Sequence, residues 1–122
     1  MKNIFSMKSY TDIEQSKKLA KILPLESADN YYSWHDERYY VVNKDCPYPY
    51  SLKEKIPCWT LSALLSVLPA ECECMSLEHI NYGNNYKKYF MSYVGGGNTD
   101  IYDNPIDACV AMIERLHELK ML

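Results

Sequence analysis

The chain lacks several features that would name a function outright. It has four glycines in 122 residues, and they are not spaced as a nucleotide-binding loop. No Gly-Lys-Ser/Thr follows the run Gly95-Gly96-Gly97, which excludes a P-loop. No apolar stretch approaches the ~18–20 residues that span a bilayer. The opening "MKNIFSMKSYTDIEQ" has no apolar core of an export signal. Basic residues are not in excess: 13 Lys and Arg against 16 Asp and Glu leave a net charge of −3. That balance disfavours nucleic acid and anionic lipid as partners, because both are bound through positive charge. It is also too weakly acidic to mimic DNA. The five cysteines, Cys46, Cys58, Cys72, Cys74 and Cys109, are an odd number with no export signal. Reduced thiols in a cytoplasmic protein are the expectation, rather than a disulfide framework.

What is present is a globular composition, with 48% hydrophobic and 24% charged residues. Three helices are expected. In "SYTDIEQSKKLAKILPL" Thr11 and Glu14 have capping-box spacing. Ile13, Leu19, Ala20 and Leu23 fall on one face, Lys17, Lys18 and Lys21 on the other, and Pro24 ends the pattern. "TLSALLSVLP", residues 60–69 with Thr60 as cap, is apolar around most of its circumference and predicts a central core helix. In "DNPIDACVAMIERLHELKML" Asn104 caps, Pro105 occupies the first helical position, and Ile106, Cys109, Val110, Ile113 and Leu116 make the buried stripe.

Between the helices the pattern becomes strand-like. "NYYSW" and "RYYVV" flank a short "HDE" and predict a hairpin; "SLEHINY" and "YKKYFMSYV" flank "GNN" and predict another. Residues 43–57 hold three prolines and read as loop. The glycine run precedes "NTDIY", a short returning strand, so it turns the chain and does not open a helix onto a phosphate. The expected order is α-β-β-α-β-β-β-α. This implies an α+β, two-layer domain: one antiparallel sheet of about four or five strands, with three helices packed mainly on one face. Residues 1–10 are expected to be a loose segment, with Met7 as a second candidate start, and 11–122 a single domain.

The aromatic content is lopsided: 12 tyrosines against two phenylalanines and two tryptophans. A buried phenol must find a hydrogen-bond partner, so surplus tyrosines belong at half-exposed positions. Tyr31, Tyr32, Trp34, Tyr39, Tyr40, Tyr48 and Tyr50 crowd one segment and are the candidate binding residues, with Trp34 and Tyr39 as anchors. The bland alternative is tyrosine used for β propensity. An unknown protein partner is the leading expectation. A small ligand such as a nucleotide, stacked on aromatics near Lys87 or Lys88, is the alternative. A third reading is a thiol or metal enzyme, using Cys58 at the start of the second helix, or Cys72 and Cys74 with His79. Its fourth metal ligand would have to come from the distant Cys58 or Cys46, and no local catalytic signature accompanies Cys58. Asp100, Asp103 and Asp107 precede or open the last helix, where capping explains the last two. No cofactor is called for.

At "YTDIEQSKKLAKILPLESADNYY", "IPCWTLSALLSVLP" and "YDNPIDACVAMIERLHE" the chain resembles a group of small uncharacterised proteins encoded by gut bacteria and their phages or integrated mobile elements. The resemblance covers both ends and the central helix, and "CECMSLEH" lies outside it. It implies an intracellular accessory protein of phage or mobile-element origin. It brings no functional residues to carry over.

Overall fold

The computed structural model describes residues 8–45, 55–69, 76–81, 87–93 and 97–122. The fold is α+β, with three helices and antiparallel strands as the sequence patterns require. The strands form two three-stranded sheets, not the single sheet of four or five expected. The physical reason lies at Ile56–Cys58, read as loop because of Pro57. These residues are a strand that takes the free side of the first hairpin. The second hairpin likewise gains its own third strand, so each sheet is completed within its own stretch of chain. The chain divides into two compact units, Tyr10–Val67 and Leu68–Leu122 with Lys8 and Ser9.

In the first unit, α1 (Ile13–Leu19) begins one residue later than the expected capping box. Asp12 is the cap: its carboxylate accepts from the Gln15 amide at 2.8 Å, and the Gln15 side chain accepts from the Asp12 amide at 3.0 Å. Thr11 is displaced inward to become a buried polar hub. Its amide donates to the Trp59 carbonyl at 2.9 Å, and its hydroxyl accepts from the Trp59 amide at 3.1 Å. The same hydroxyl bonds the Ser16 hydroxyl at 2.8 Å, and the Thr11 carbonyl accepts from the Tyr32 phenol at 2.6 Å. Leu19 and Leu23 are buried while Lys17, Lys18 and Lys21 stay in water.

β1 (Asn30–His35) and β2 (Arg38–Asn43) form the expected hairpin, and β3 (Ile56–Cys58) pairs with the other side of β1. Pro57 is tolerated because β3 is an edge, where the missing amide faces away from the ladder. α2 (Leu61–Val67) is capped by Thr60, whose hydroxyl accepts from the Ala63 amide at 3.3 Å. Asp29 fixes that cap by accepting from the Thr60 amide at 3.0 Å and from its hydroxyl. The expectation of a central core helix is not met: only Ala63 and Leu64 are buried, and Leu65 is 42% exposed. Seven residues make only two turns, so most of this helix stays at the margin. Trp59, Cys58, Leu19 and Tyr32 supply much of the interior instead.

In the second unit, β4 (Ser76–Asn81) pairs with β5 (Lys87–Tyr93), and β6 (Gly97–Asn98) returns along β5. Tyr102 extends that return by bridging Tyr89. The register slips by one residue between the Ser92↔Asn98 pair and the Tyr89↔Tyr102 bridge, which is a bulge. There the Thr99 hydroxyl accepts the Met91 amide at 2.9 Å, replacing a ladder bond. Gly97 has φ +80, the left-handed conformation that glycine adopts at no steric cost. Gly95 and Gly96 lie outside the described residues, as do the "GNN" turn and residues 1–7. α3 (Pro105–Glu118) starts well after Gly97, capped by Asn104 as expected. Ile106, Cys109, Val110, Ile113 and Leu116 are all buried, and Cys109 meets Met91 of β5 at 3.8 Å between sulfurs. Arg115 donates to the Asn98 carbonyl at 2.7 Å, tying the helix to the return strand.

Candidate functional site

The β1–β2 hairpin turns on two residues, Asp36 (φ 50) and Glu37 (φ 64). Positive φ at both centres is the type I′ geometry that matches strand twist. From this turn the side chains alternate between two faces. The pairs Tyr32↔Val41 and Trp34↔Tyr39 put Tyr32, Trp34 and Tyr39 on one face, and Tyr31 and Tyr40 on the other. The expected aromatic segment is therefore split. Tyr48 and Tyr50 lie outside the described residues.

On the first face the rings form a row of edge-to-face contacts. Trp34 meets Tyr39 at 4.8 Å, Tyr39 meets Tyr32 at 6.2 Å, and Tyr32 meets Tyr10 at 6.1 Å between centroids. Tyr32 is the fixed point of the row, buried, with its phenol bonded to Thr11. Burial, with smaller contributions from Cys58, Tyr10 and Asp12, pushes its hydroxyl up to about 12. The row ends in water at both sides, with Trp34 42% and Tyr10 36% exposed. Tyr10 has no local signal to mark it: it joins through the Tyr10↔Thr60 bridge, a contact fifty residues distant in sequence. On the second face each ring carries a cation. Lys55 sits 4.4 Å over Tyr31, which is buried, and Arg38 sits 5.8 Å over the exposed Tyr40. Ser33, between them, is buried with a hydroxyl that has no hydrogen-bond partner.

The other candidate residues are placed as follows. Lys87 and Lys88 are successive on β5 and point to opposite faces. The Lys88 amine is paired with the Asp103 carboxylate at 2.5 Å, so the two lysines do not converge on one phosphate. Cys58 is fully buried in β3, and burial first, then Asp29, raises its thiol to about 12. A nucleophilic cysteine needs the opposite shift. Cys109 is raised to about 12 by burial alone. Cys46, Cys72 and Cys74 lie outside the described residues. His79 is exposed beside Tyr89, and His117 is exposed on the last turn of α3 with Nδ1 3.3 Å from the Leu122 carbonyl. Asp107 accepts from Lys8 at 2.9 Å and from the Asn104 amide group at 2.9 Å, a structural role. Among the described residues no three His, Cys, Asp or Glu side chains group as metal ligands. None of the helices there is long and apolar enough to cross a membrane. Comparison with protein-family models, curated proteins and solved structures gave no match.

Proposed function

We propose that this is a non-enzymatic binding protein whose contact surface is the aromatic face of the β1–β2 hairpin. The observation that carries the reading is Trp34. The ring is 42% exposed, yet it is held edge-on against Tyr39 on a strand pair whose next ring, Tyr32, is anchored in the interior. An exposed but immobilised aromatic offers contact area with little ordering entropy left to lose, the property that marks binding anchors. The partner is a protein, and the resemblance to phage- and mobile-element-encoded proteins makes a host protein in the cytoplasm the natural target.

The nucleotide reading has less support, because Lys88 is engaged by Asp103 and Lys87 lies on the opposite face. The test is affinity capture from host extract with wild type, Trp34→Ala, Tyr39→Ala and, as a control, Leu65→Ala at another exposed apolar site. Loss of one defined partner with the two hairpin variants, while all four proteins remain folded, supports the reading. Equal capture by all four refutes it.

A further inference from the structure

Among the described residues, sheet order β2-β1-β3 leaves β2 with one unpaired side. The two-residue turn makes His35 and Arg38 a hydrogen-bonded pair, and the bond from the Lys44 amide to the Asp29 carbonyl at 3.2 Å shows the same phase at the far end. Arg38, Tyr40 and Val42 therefore direct their amides and carbonyls at β1. Tyr39, Val41 and Asn43 direct theirs outward. Natural edges are guarded by proline, lysine or a bulge, and the opposite edge of this sheet is guarded by Pro57. β2 reads Arg-Tyr-Tyr-Val-Val-Asn and has none of these guards within it.

We propose that two copies of this chain pair antiparallel through β2, with Tyr40 on the two-fold axis, to form one six-stranded sheet. A two-fold axis perpendicular to the sheet keeps like faces on the same side, so only registers pairing Tyr40 with itself or Val41 with itself centre the strand. Charge chooses between them. With Val41 on the axis, Arg38 faces Lys44 and Glu37 faces Asp45, both like-charged. With Tyr40 on the axis, Tyr39 faces Val41, Arg38 faces Val42, and Lys44 lies opposite Asp36 just past the ladder. Aromatic and β-branched cross-strand neighbours with opposite charges at the ends are the favourable set. The two Tyr39↔Val41 pairs exchange about four backbone hydrogen bonds. The Trp34–Tyr39 rows of both copies then share one face, doubling the aromatic surface. The pairing does not depend on what that face binds.

Sedimentation equilibrium of the full chain, from about 1 μM to about 1 mM, tests this. Wild type is expected to associate reversibly to dimer within that range. Val41→Pro removes an outward amide in each copy and no bond to β1, so it should weaken the dimer by about 30-fold or more with the hairpin circular dichroism retained. Lys44→Glu and Asp36→Lys each set like charges against each other and should dimerise more weakly than wild type. An equimolar mixture of the two restores opposite charges at both ends and should associate better than either alone. A wild type that stays monomeric up to 1 mM overturns the proposal, as does a dimer indifferent to Val41→Pro. If Val41→Pro does not fold, the charge-swapped mixture decides: no gain over the single variants refutes the pairing.

Discussion

The two tryptophans should separate cleanly into a structural ring and a recognition ring. Trp59 is fully buried, and its indole N–H donates to the Ser27 hydroxyl at 2.9 Å. Truncating such a ring costs about 3–5 kcal/mol for Trp→Ala in cores, while the Ser27 hydroxyl keeps its own bond to the Pro24 carbonyl. Trp34 is 42% exposed and meets Tyr39 edge-on at 4.8 Å. Scaling the same cost by the covered part of the side chain gives about 2 kcal/mol, of which the edge-to-face contact supplies about 0.5–1.5. Against a total stability of about 5–15 kcal/mol, Trp34→Ala stays folded while Trp59→Ala is near its limit. Urea denaturation of each variant reads the difference as a shift in midpoint at constant slope. Each variant also retains one tryptophan, whose emission can be excited apart from that of the tyrosines. The Trp59-only protein should emit in the blue and resist acrylamide, and the Trp34-only protein should be readily quenched. If Trp34→Ala costs as much as Trp59→Ala, Trp34 belongs to the interior and the recognition surface is lost with it.

Other consequences can be measured on the same purified protein. Thr11→Val leaves the Trp59 amide and the Ser16 hydroxyl without their partner, and should cost about 2–4 kcal/mol in urea unfolding. Ser33→Ala has the opposite sign: it removes a buried hydroxyl that bonds nothing and should stabilise by about 1 kcal/mol. Glu37→Gly relieves a side chain held at φ 64 and should stabilise the hairpin by about 0.5–1 kcal/mol, seen as a higher thermal midpoint. Tyr32, Cys58 and Cys109 are all raised to about 12 when folded, so each favours the folded state below its unfolded value near 9–10. That stability is lost as pH rises from about 9 toward 12, and the urea midpoint should fall across that interval. Mass mapping after alkylation of native protein near pH 8 should find Cys58 and Cys109 unmodified; rapid labelling of either would contradict its burial.

Much of the fold could be read locally. α3 was fully specified by Asn104, Pro105 and a regular apolar stripe, and each hairpin by aromatic and β-branched runs around a turn. What failed was either one residue out or nonlocal. Thr11-x-x-Glu14 and Asp12-x-x-Gln15 are both plausible caps in sequence. Only the Thr11 bonds to Trp59, forty-eight residues away, draw Thr11 inside and leave Asp12 to cap. Ile56-Pro57-Cys58 carries a proline that argues against a strand, and only the vacant side of β1 makes it one. α2 looked central because composition shows how apolar a helix is, but not that other residues have already filled the interior.

Four tyrosines of the first hairpin, which the sequence could count but not sort, take three roles by alternation and burial. Tyr32 is a core ring that satisfies its hydroxyl on the Thr11 carbonyl. Tyr31 and Tyr40 are platforms for Lys55 and Arg38. Tyr39 sits between Tyr32 and Trp34, edge-to-face with each. A phenylalanine at 32 would leave that carbonyl without its donor, and one at 39 would keep the ring contact. The hydroxyl therefore matters at Tyr32 and the ring at Tyr39. Tyr32→Phe should lower stability while leaving partner capture intact, whereas Tyr39→Phe should change stability little and Tyr39→Ala should abolish capture. Measuring stability and capture on these three variants sorts the rings by role: capture lost in Tyr32→Phe but retained in Tyr39→Ala would mean that the Trp34–Tyr39 face is not the contact surface.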